Sequence, residues 1–181
     1  YGRIKGIINE TTKVDPDTAY GIAKYAVGKL TYEYCKSNGI KFIWGRIFSA
    51  YGLYDGSNTL IMSLLHSLLA NAPMALTKCE QQWDYINYKD VGRAFYLMAL
   101  YGENGIYCIA SGNKKPLIEY IKLIQKCADT DIQLGIGEIP YTCNQVMSLD
   151  VDISRLKNIG FEIKVSFEEG INELIAQLKT K

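Results

Sequence analysis

An α/β fold follows from the order of the apolar segments along this chain. Short β-prone runs, such as 41–44 (Lys-Phe-Ile-Trp) and 106–110 (Ile-Tyr-Cys-Ile-Ala), alternate with longer segments of helical period. Helix-start signals precede the long segments, and glycine, asparagine or proline marks many of the joints. With 181 residues, 48% of them hydrophobic, the chain can bury one domain core.

Residues 1–17 read as a loop leading into a helix near 18–37. Asp15-Pro16 opens it, and Asp17 or Thr18 supplies a side-chain oxygen for the free amides of the first turn. Ala23, Val27, Leu30 and Tyr34 form its apolar face, and Asn38-Gly39 stops it. A short buried strand follows at 41–44. Ser57 is placed to cap a largely buried helix running to about Asn71. Residues 74–77 and 84–87 read as short strands, 88–101 as a helix and 106–110 as a strand. Pro116 opens a helix to about Ala128. Ser166 and Glu169 make a capping box for the last helix, whose face is Phe167, Ile171, Leu174, Ile175 and Leu178.

Tyr20 and Lys24 carry the chemistry. Four residues apart on a helix, they share one face. An ammonium beside a phenol favours the phenolate, which makes an acid/base able to exchange a proton with a sugar hydroxyl or carbonyl. The spacing alone is weak, because five Tyr-x-x-x-Lys matches occur where 14 tyrosines and 16 lysines in 181 residues give about one by chance. Context separates Tyr20: it falls near the first turn of a capped helix, with Gly21 and Ala23 leaving room for a flat ligand. Tyr25, which pairs with Lys29, lies about 140° around the same helix, so both pairs are not expected to serve one site.

Charge and composition exclude several classes. A net charge of +1 gives no electrostatic case for nucleic acid or an acidic membrane. No apolar run reaches the ~18 residues of a membrane span; the longest, 60–72, is broken by Ser63, His66, Ser67 and Asn71. Five cysteines without framework spacing suggest reduced thiols in a cytoplasmic protein. No Cys/His cluster offers a metal site, and the lone His66 reads as a packing or surface residue. No Gly-x-Gly-x-x-Gly follows a strand, so the phosphate cradle of a dinucleotide fold is not found here.

Several segments together resemble the extended short-chain dehydrogenase/reductase family, the NAD(P)-dependent nucleotide-sugar epimerases, dehydratases and ketoreductases. They are Tyr1-Gly2, the Asp-Pro-x-x-x-Tyr-Gly-x-x-Lys at 15–24, and Gly-Arg-Ile-Phe-Ser-Ala-Tyr-Gly at 45–52. Residues 79–91 resemble the family's Gly-Glu-Gln-x-Arg-Asp-Tyr/Phe-Ile segment, 106–112 its Tyr-Asn-Ile-Gly-Ser-Gly strand, and 152–161 with 166–171 its C-terminal end. The resemblance implies the C-terminal part of a Rossmann-type doubly wound sheet plus a smaller α/β substrate domain. Residues 1–56 would belong to the NAD(P)-binding domain. Residues 57–181 would form mainly the nucleotide-sugar domain, with short returns to the main sheet. In the family, the Gly-rich loop and the catalytic Ser/Thr precede the Tyr-Gly pair, so the chain is expected to be part of a longer protein. Alone it is expected neither to bind NAD(P) appreciably nor to turn over, and an incomplete sheet or apolar patch would favour self-association.

The resemblance also implies roles. Tyr20 would be the acid/base, and Lys24 would hold the nicotinamide ribose while favouring the phenolate. Phe48 and Ser49 fall where the family contacts cofactor and substrate; many members have Asn at the Ser49 position. Trp83 stands where the family has an arginine for the substrate diphosphate. It could stack on a base or only cover core. Tyr141-Thr142 stands where some relatives have Tyr-Arg, so Tyr141 is a substrate candidate and diphosphate contacts would move to Lys78, Lys114 or Lys115. Asp84 reads as structural and Asp90 as beginning or capping the next helix. The absence of the paired Asn of the 4,6-dehydratases from residues 46–52 favours an epimerase or 4-ketoreductase. A dehydratase and a non-catalytic binding protein on the same scaffold are the alternatives. A homodimer is an expected assembly.

Overall fold

The longest ladder in the computed structural model, which describes residues 1–2 and 4–180, joins β2 (Ile43–Ile47) to β7 (Gly105–Ile109) in parallel. Around it the chain adds short parallel pairs. β1 (Ile7–Ile8) lies on β10 (Asp150–Val151), β3 (Ala50–Tyr51) on β6 (Ile86–Asn87), and β4 (Ala75–Leu76) on β9 (Gly135–Ile136). β5 (Gln82–Trp83) runs antiparallel to β8 (Lys115–Pro116). The helices between them are α1 (Ala19–Ser37), α2 (Leu60–Leu69), α3 (Tyr88–Tyr101), α4 (Leu117–Cys127), α5 (Ser154–Lys157) and α6 (Phe167–Lys179). Parallel strands joined through helices make this an α/β fold, as the sequence predicts.

Most elements fall within a few residues of their predicted positions, and the differences have local causes. The strand predicted at 41–44 is β2, which starts at Ile43 and continues to Ile47, because its ladder with β7 runs to Ile109. Ser57 is not the cap of α2. Thr59 occupies that position, and the Thr59 hydroxyl bonds back to Asp55 at 2.9 Å. Of the predicted strand at 84–87 only 86–87 (β6) is strand; β5 at 82–83 precedes it, and Asp84 turns away between the two. Asp84 is buried and its carboxylate accepts from the Ser111 hydroxyl and amide and from the Gly112 amide at 2.8 Å. Burial raises its carboxyl above the usual range while those hydrogen bonds pull the other way. Asp90 does not cap α3; Asn87 does, accepting from the Lys89 amide. Asp90 instead reaches the C-terminal segment, accepting from the amides of Lys164 and Val165 at 3.0–3.2 Å.

Two apolar clusters form the core. One gathers α2, α4 and α6 with Tyr51 and Leu76. The other gathers β7, α3, α5 and β10. Trp83 packs against both. α6 presents its predicted face, with Ile171, Leu174 and Ile175 buried, and its capping box forms between Ser166 and Glu169.

α1 departs from its predicted orientation. Thr18 caps it, accepting from the Gly21 amide at 3.1 Å, and Gly39 ends it at φ 65°. Its predicted apolar face is exposed, with Val27 at 51%, Leu30 at 71% and Tyr34 at 64%. The helix meets β2 through a different stripe. The Trp44 indole occupies the space a side chain at Gly28 would need, 3.2 Å from an added Cβ, and Tyr32 meets Phe42 edge-on at 5.4 Å. A bulky indole on the strand selects the glycine face; Ala23, Leu30 and Tyr34 are left outward, and Val27 sits half-exposed at the edge of the cleft. An exposed apolar stripe of this kind favours association. Light scattering of the 181-residue chain is expected to show mass rising with concentration, and Leu30→Glu to reduce that rise. A monomer over the whole range would count against it.

Candidate functional site

The face of α1 that meets β2 also forms one side of a cleft of about 1070 Å³. Tyr20 enters it from the second residue of the helix, with its ring 74% exposed. Lys24 follows one turn later, its Nζ 5.6 Å from the Tyr20 ring centre. Thr18 capping holds the first turn, so both side chains project from a fixed helix start. Gly21 borders the cleft, and its lack of a side chain also lets the preceding loop approach: an added Cβ would fall 3.0 Å from Pro16 and 3.1 Å from the Thr18 hydroxyl. Ala23 does not line the cleft.

β2 supplies much of the remaining surface. Trp44 to Phe48 all border the cleft, with the Trp44, Arg46 and Phe48 side chains supplying its rings and a cation. Phe48 stacks on Tyr1 with ring centres 5.6 Å apart, and the Arg46 guanidinium lies 4.6 Å from the Tyr1 ring centre. Among the described residues that line this cleft, Lys13, Lys24, Lys29 and Arg46 are cationic and none carries a carboxylate. Such a surface attracts an anionic ligand, and its aromatic rings suit one with flat, unsaturated groups. These residues fit the ribose and ring end of a nicotinamide dinucleotide. Among the described residues, no group of three His, Cys, Asp or Glu side chains could hold a metal ion. None of the described helices is long and apolar enough to cross a membrane.

The site residues named from the sequence fall into two places. Tyr20, Lys24 and Phe48 line the cleft. Ser49 follows Phe48 at φ 39°, the left-handed region that Asn tolerates better than Ser, and its carbonyl accepts from the Ile86 amide at 3.3 Å. That backbone gives a physical reason for the family's Asn at this position. Cys79 repeats the pattern at φ 55°, where the family segment has Gly. Trp83 and Tyr141 belong to a separate grouping around residues 80–83. Trp83 is half-buried between the two apolar clusters, and the Tyr141 hydroxyl accepts from the Glu80 amide at 3.0 Å.

Sequence reasoning missed Tyr1, Lys13 and Arg46 as cleft residues. The available signal for Arg46 was its place in the 45–52 segment, two residues before Phe48. It also separated Tyr25 and Lys29 from the site by helix angle. The cleft is wide enough that both line it, with Lys29 Nζ 5.9 Å from the Tyr25 ring centre.

The profile of the NAD dependent epimerase/dehydratase family matches residues 1–110. A provisionally named UDP-glucose 4-epimerase of Methanocaldococcus jannaschii is 24% identical over 180 residues, covering 95% of this chain and 57% of that protein. The chain spans about half the length of the curated relatives it matches, between 47% and 58%. Among solved structures, RMD from Pseudomonas aeruginosa complexed with NADPH superposes with a TM-score of 0.88 at 18% identity, covering 100% of this chain and 63% of that one. UDP-N-acetylglucosamine 4-epimerase from Methanobrevibacter ruminantium, in complex with UDP-N-acetylmuramic acid, superposes with a TM-score of 0.87 at 21% identity, covering 96% and 57%. At these identities the likeness is one of fold, and the fold is that of Rossmann-type enzymes.

Proposed function

The chain belongs to the NAD dependent epimerase/dehydratase family, and from that membership we propose that it is part of a longer NAD(P)-dependent enzyme acting on a nucleotide sugar, as an epimerase or 4-ketoreductase. Residues 1–56 serve the cofactor side and 57–181 mainly the substrate side. The return of Leu149, Val151 and Leu156 to the cluster around β7 supports short excursions to the main sheet.

The observation that carries the reading is the seating of Tyr20 and Lys24 together on a capped helix start, at the wall of a cleft lined by cations and rings. When bound, the nicotinamide takes up or returns a hydride. Tyr20 Oη takes the proton of the sugar hydroxyl as it is oxidised and gives one to the carbonyl oxygen as it is reduced. Lys24 Nζ, lying over the Tyr20 ring, orients that ring and the ribose. Phe48 supports the nicotinamide ring. On the substrate side we place Ser49, Trp83 and Tyr141. Trp83 brings a ring and no charge, and Lys114 is engaged by Asp150. The diphosphate therefore falls to Lys78 or Lys115.

The test is a panel of UDP-, dTDP-, CDP- and GDP-sugars with a polypeptide of the relatives' full length, products read by NMR. The expected product is a sugar inverted at C4, or a 4-hydroxy sugar made from a 4-keto one. A 4-keto-6-deoxy product would transfer the reading to the dehydratases, and no conversion with Tyr20 intact would favour a binding protein. The 181-residue chain alone is expected to give no turnover.

A further inference from the structure

One wall of the cleft is a turn that the chemistry assigned to Tyr20 and Lys24 leaves unused. Residues 9–14 carry Thr12, Lys13 and Val14 to the cleft. Asn9 builds the turn. Its Oδ1 accepts from the amides of Thr11 and Thr12, each at 3.0 Å, and its own amide donates to the Thr12 hydroxyl at 2.9 Å. Two bonds anchor the turn to the sheet. The Tyr1 hydroxyl donates to the Asn9 carbonyl at 2.8 Å, and the Glu10 carboxylate accepts from the Cys108 amide at 3.0 Å.

Tyr1 is itself fixed by residues that face each other in the β2–β7 ladder, Arg46 and Cys108. The Arg46 guanidinium lies over the ring and donates through Nη1 to the hydroxyl, and the Cys108 Sγ is 3.4 Å from the same oxygen. A phenol oxygen has one proton to give and accepts two hydrogen bonds. The Asn9 carbonyl can only accept, so it takes the proton. Arg46 and the Cys108 thiol then donate, and the oxygen is fully used. Burial, reinforced by Cys108, pushes the Tyr1 phenol up, and burial pushes the Cys108 thiol up to about 11, so both stay neutral near pH 7.

We infer that Arg46 and Cys108 are positioning residues for the cleft. Through the Tyr1 hydroxyl they hold the 9–14 turn where Thr12, Lys13 and Val14 meet the ligand. The inference rests on reading the cleft as the cofactor site. Arg46 suits the task because a planar guanidinium can lie on a ring and donate from its edge, which a lysine ammonium cannot.

The test uses the polypeptide of the relatives' full length. Tyr1→Phe keeps the ring and its contacts with Phe48 and Arg46 and removes only the hydroxyl. Hydrogen exchange of the 9–14 amides is expected to quicken about tenfold, with α3 unchanged. Kd for NAD(P), by calorimetry, and KM for NAD(P) are expected to rise about tenfold while kcat stays within about threefold. Glu10→Gln weakens the second anchor without touching Tyr1, and should quicken exchange in the same segment. It decides the question if Tyr1→Phe does not fold. Cys108→Ser keeps a donor for the Tyr1 hydroxyl and should stay near wild type where Cys108→Ala does not. Unchanged exchange at 9–14 in both anchor variants would overturn the inference. So would faster exchange with unchanged NAD(P) affinity, which would leave the network a purely structural one. If the unmodified polypeptide binds no NAD(P), the cofactor reading fails and takes the positioning role with it, while exchange at 9–14 still reports whether the anchor holds the turn.

Discussion

Tyr20→Phe, in a polypeptide of the relatives' full length, is expected to lower kcat by about 10²–10⁴-fold, the usual contribution of a positioned acid/base. The change removes one oxygen and its proton. The ring is 74% exposed, so little packing is lost with it. NAD(P) affinity should move little, since the hydroxyl is a small part of the contact. Lys24→Met should lower both turnover and affinity, because Lys24 has two proposed tasks. Tyr25→Phe is the informative comparison, since Tyr25 lines the same cleft with its own lysine 5.9 Å away. Steady-state kinetics should show a loss in Tyr20→Phe at least tenfold greater than in Tyr25→Phe. Equal losses would mean that Tyr20 is not the acid/base, and the binding-protein reading would then be the better one.

Asp90→Ala is expected to be the costliest single change to stability, about 3–5 kcal/mol. Asp90 is fully buried and accepts from two backbone amides in the segment that leads into α6. Alanine would leave the amides of Lys164 and Val165 without an acceptor and Arg93, whose Nε is 3.8 Å from that carboxylate, without its ion pair. Asp90→Asn keeps one acceptor oxygen and should cost less than half as much. Urea unfolding followed by circular dichroism separates the two. A loss below about 1 kcal/mol for Asp90→Ala would show that water replaces the carboxylate there.

The elements that could be read from the sequence are those whose signals are local. The Ser166–Glu169 capping box, the Thr18 cap and the apolar face of α6 each depend on residues within a few positions of one another. What could not be read depends on partners distant in sequence. The outward turn of Leu30 and Tyr34 is decided by Trp44 filling the space at Gly28, and nothing within α1 announces that indole. Asp90 does stand in the first turn of α3, as read, but its acceptor role was not legible, because Lys164 and Val165 lie more than seventy positions away. At the candidate site, Tyr20 and Lys24 were legible because one helix turn joins them. Tyr1 and Lys13 were not, because the network that brings the N-terminal segment to the cleft runs through side chains on β2 and β7.

The two apolar clusters share one indole, Trp83. A change of volume on either side is therefore felt by the other, because a rigid ring cannot retreat from one wall without advancing on the opposite one. Substitutions beneath that ring in the two clusters share it as a neighbour, and their stability effects need not add. The same coupling bears on sequence drift. Replacing Trp83 with a smaller or charged residue would require accommodating changes in two regions at once. Position 83 is thus constrained by its neighbours on both sides, independently of any ligand it contacts.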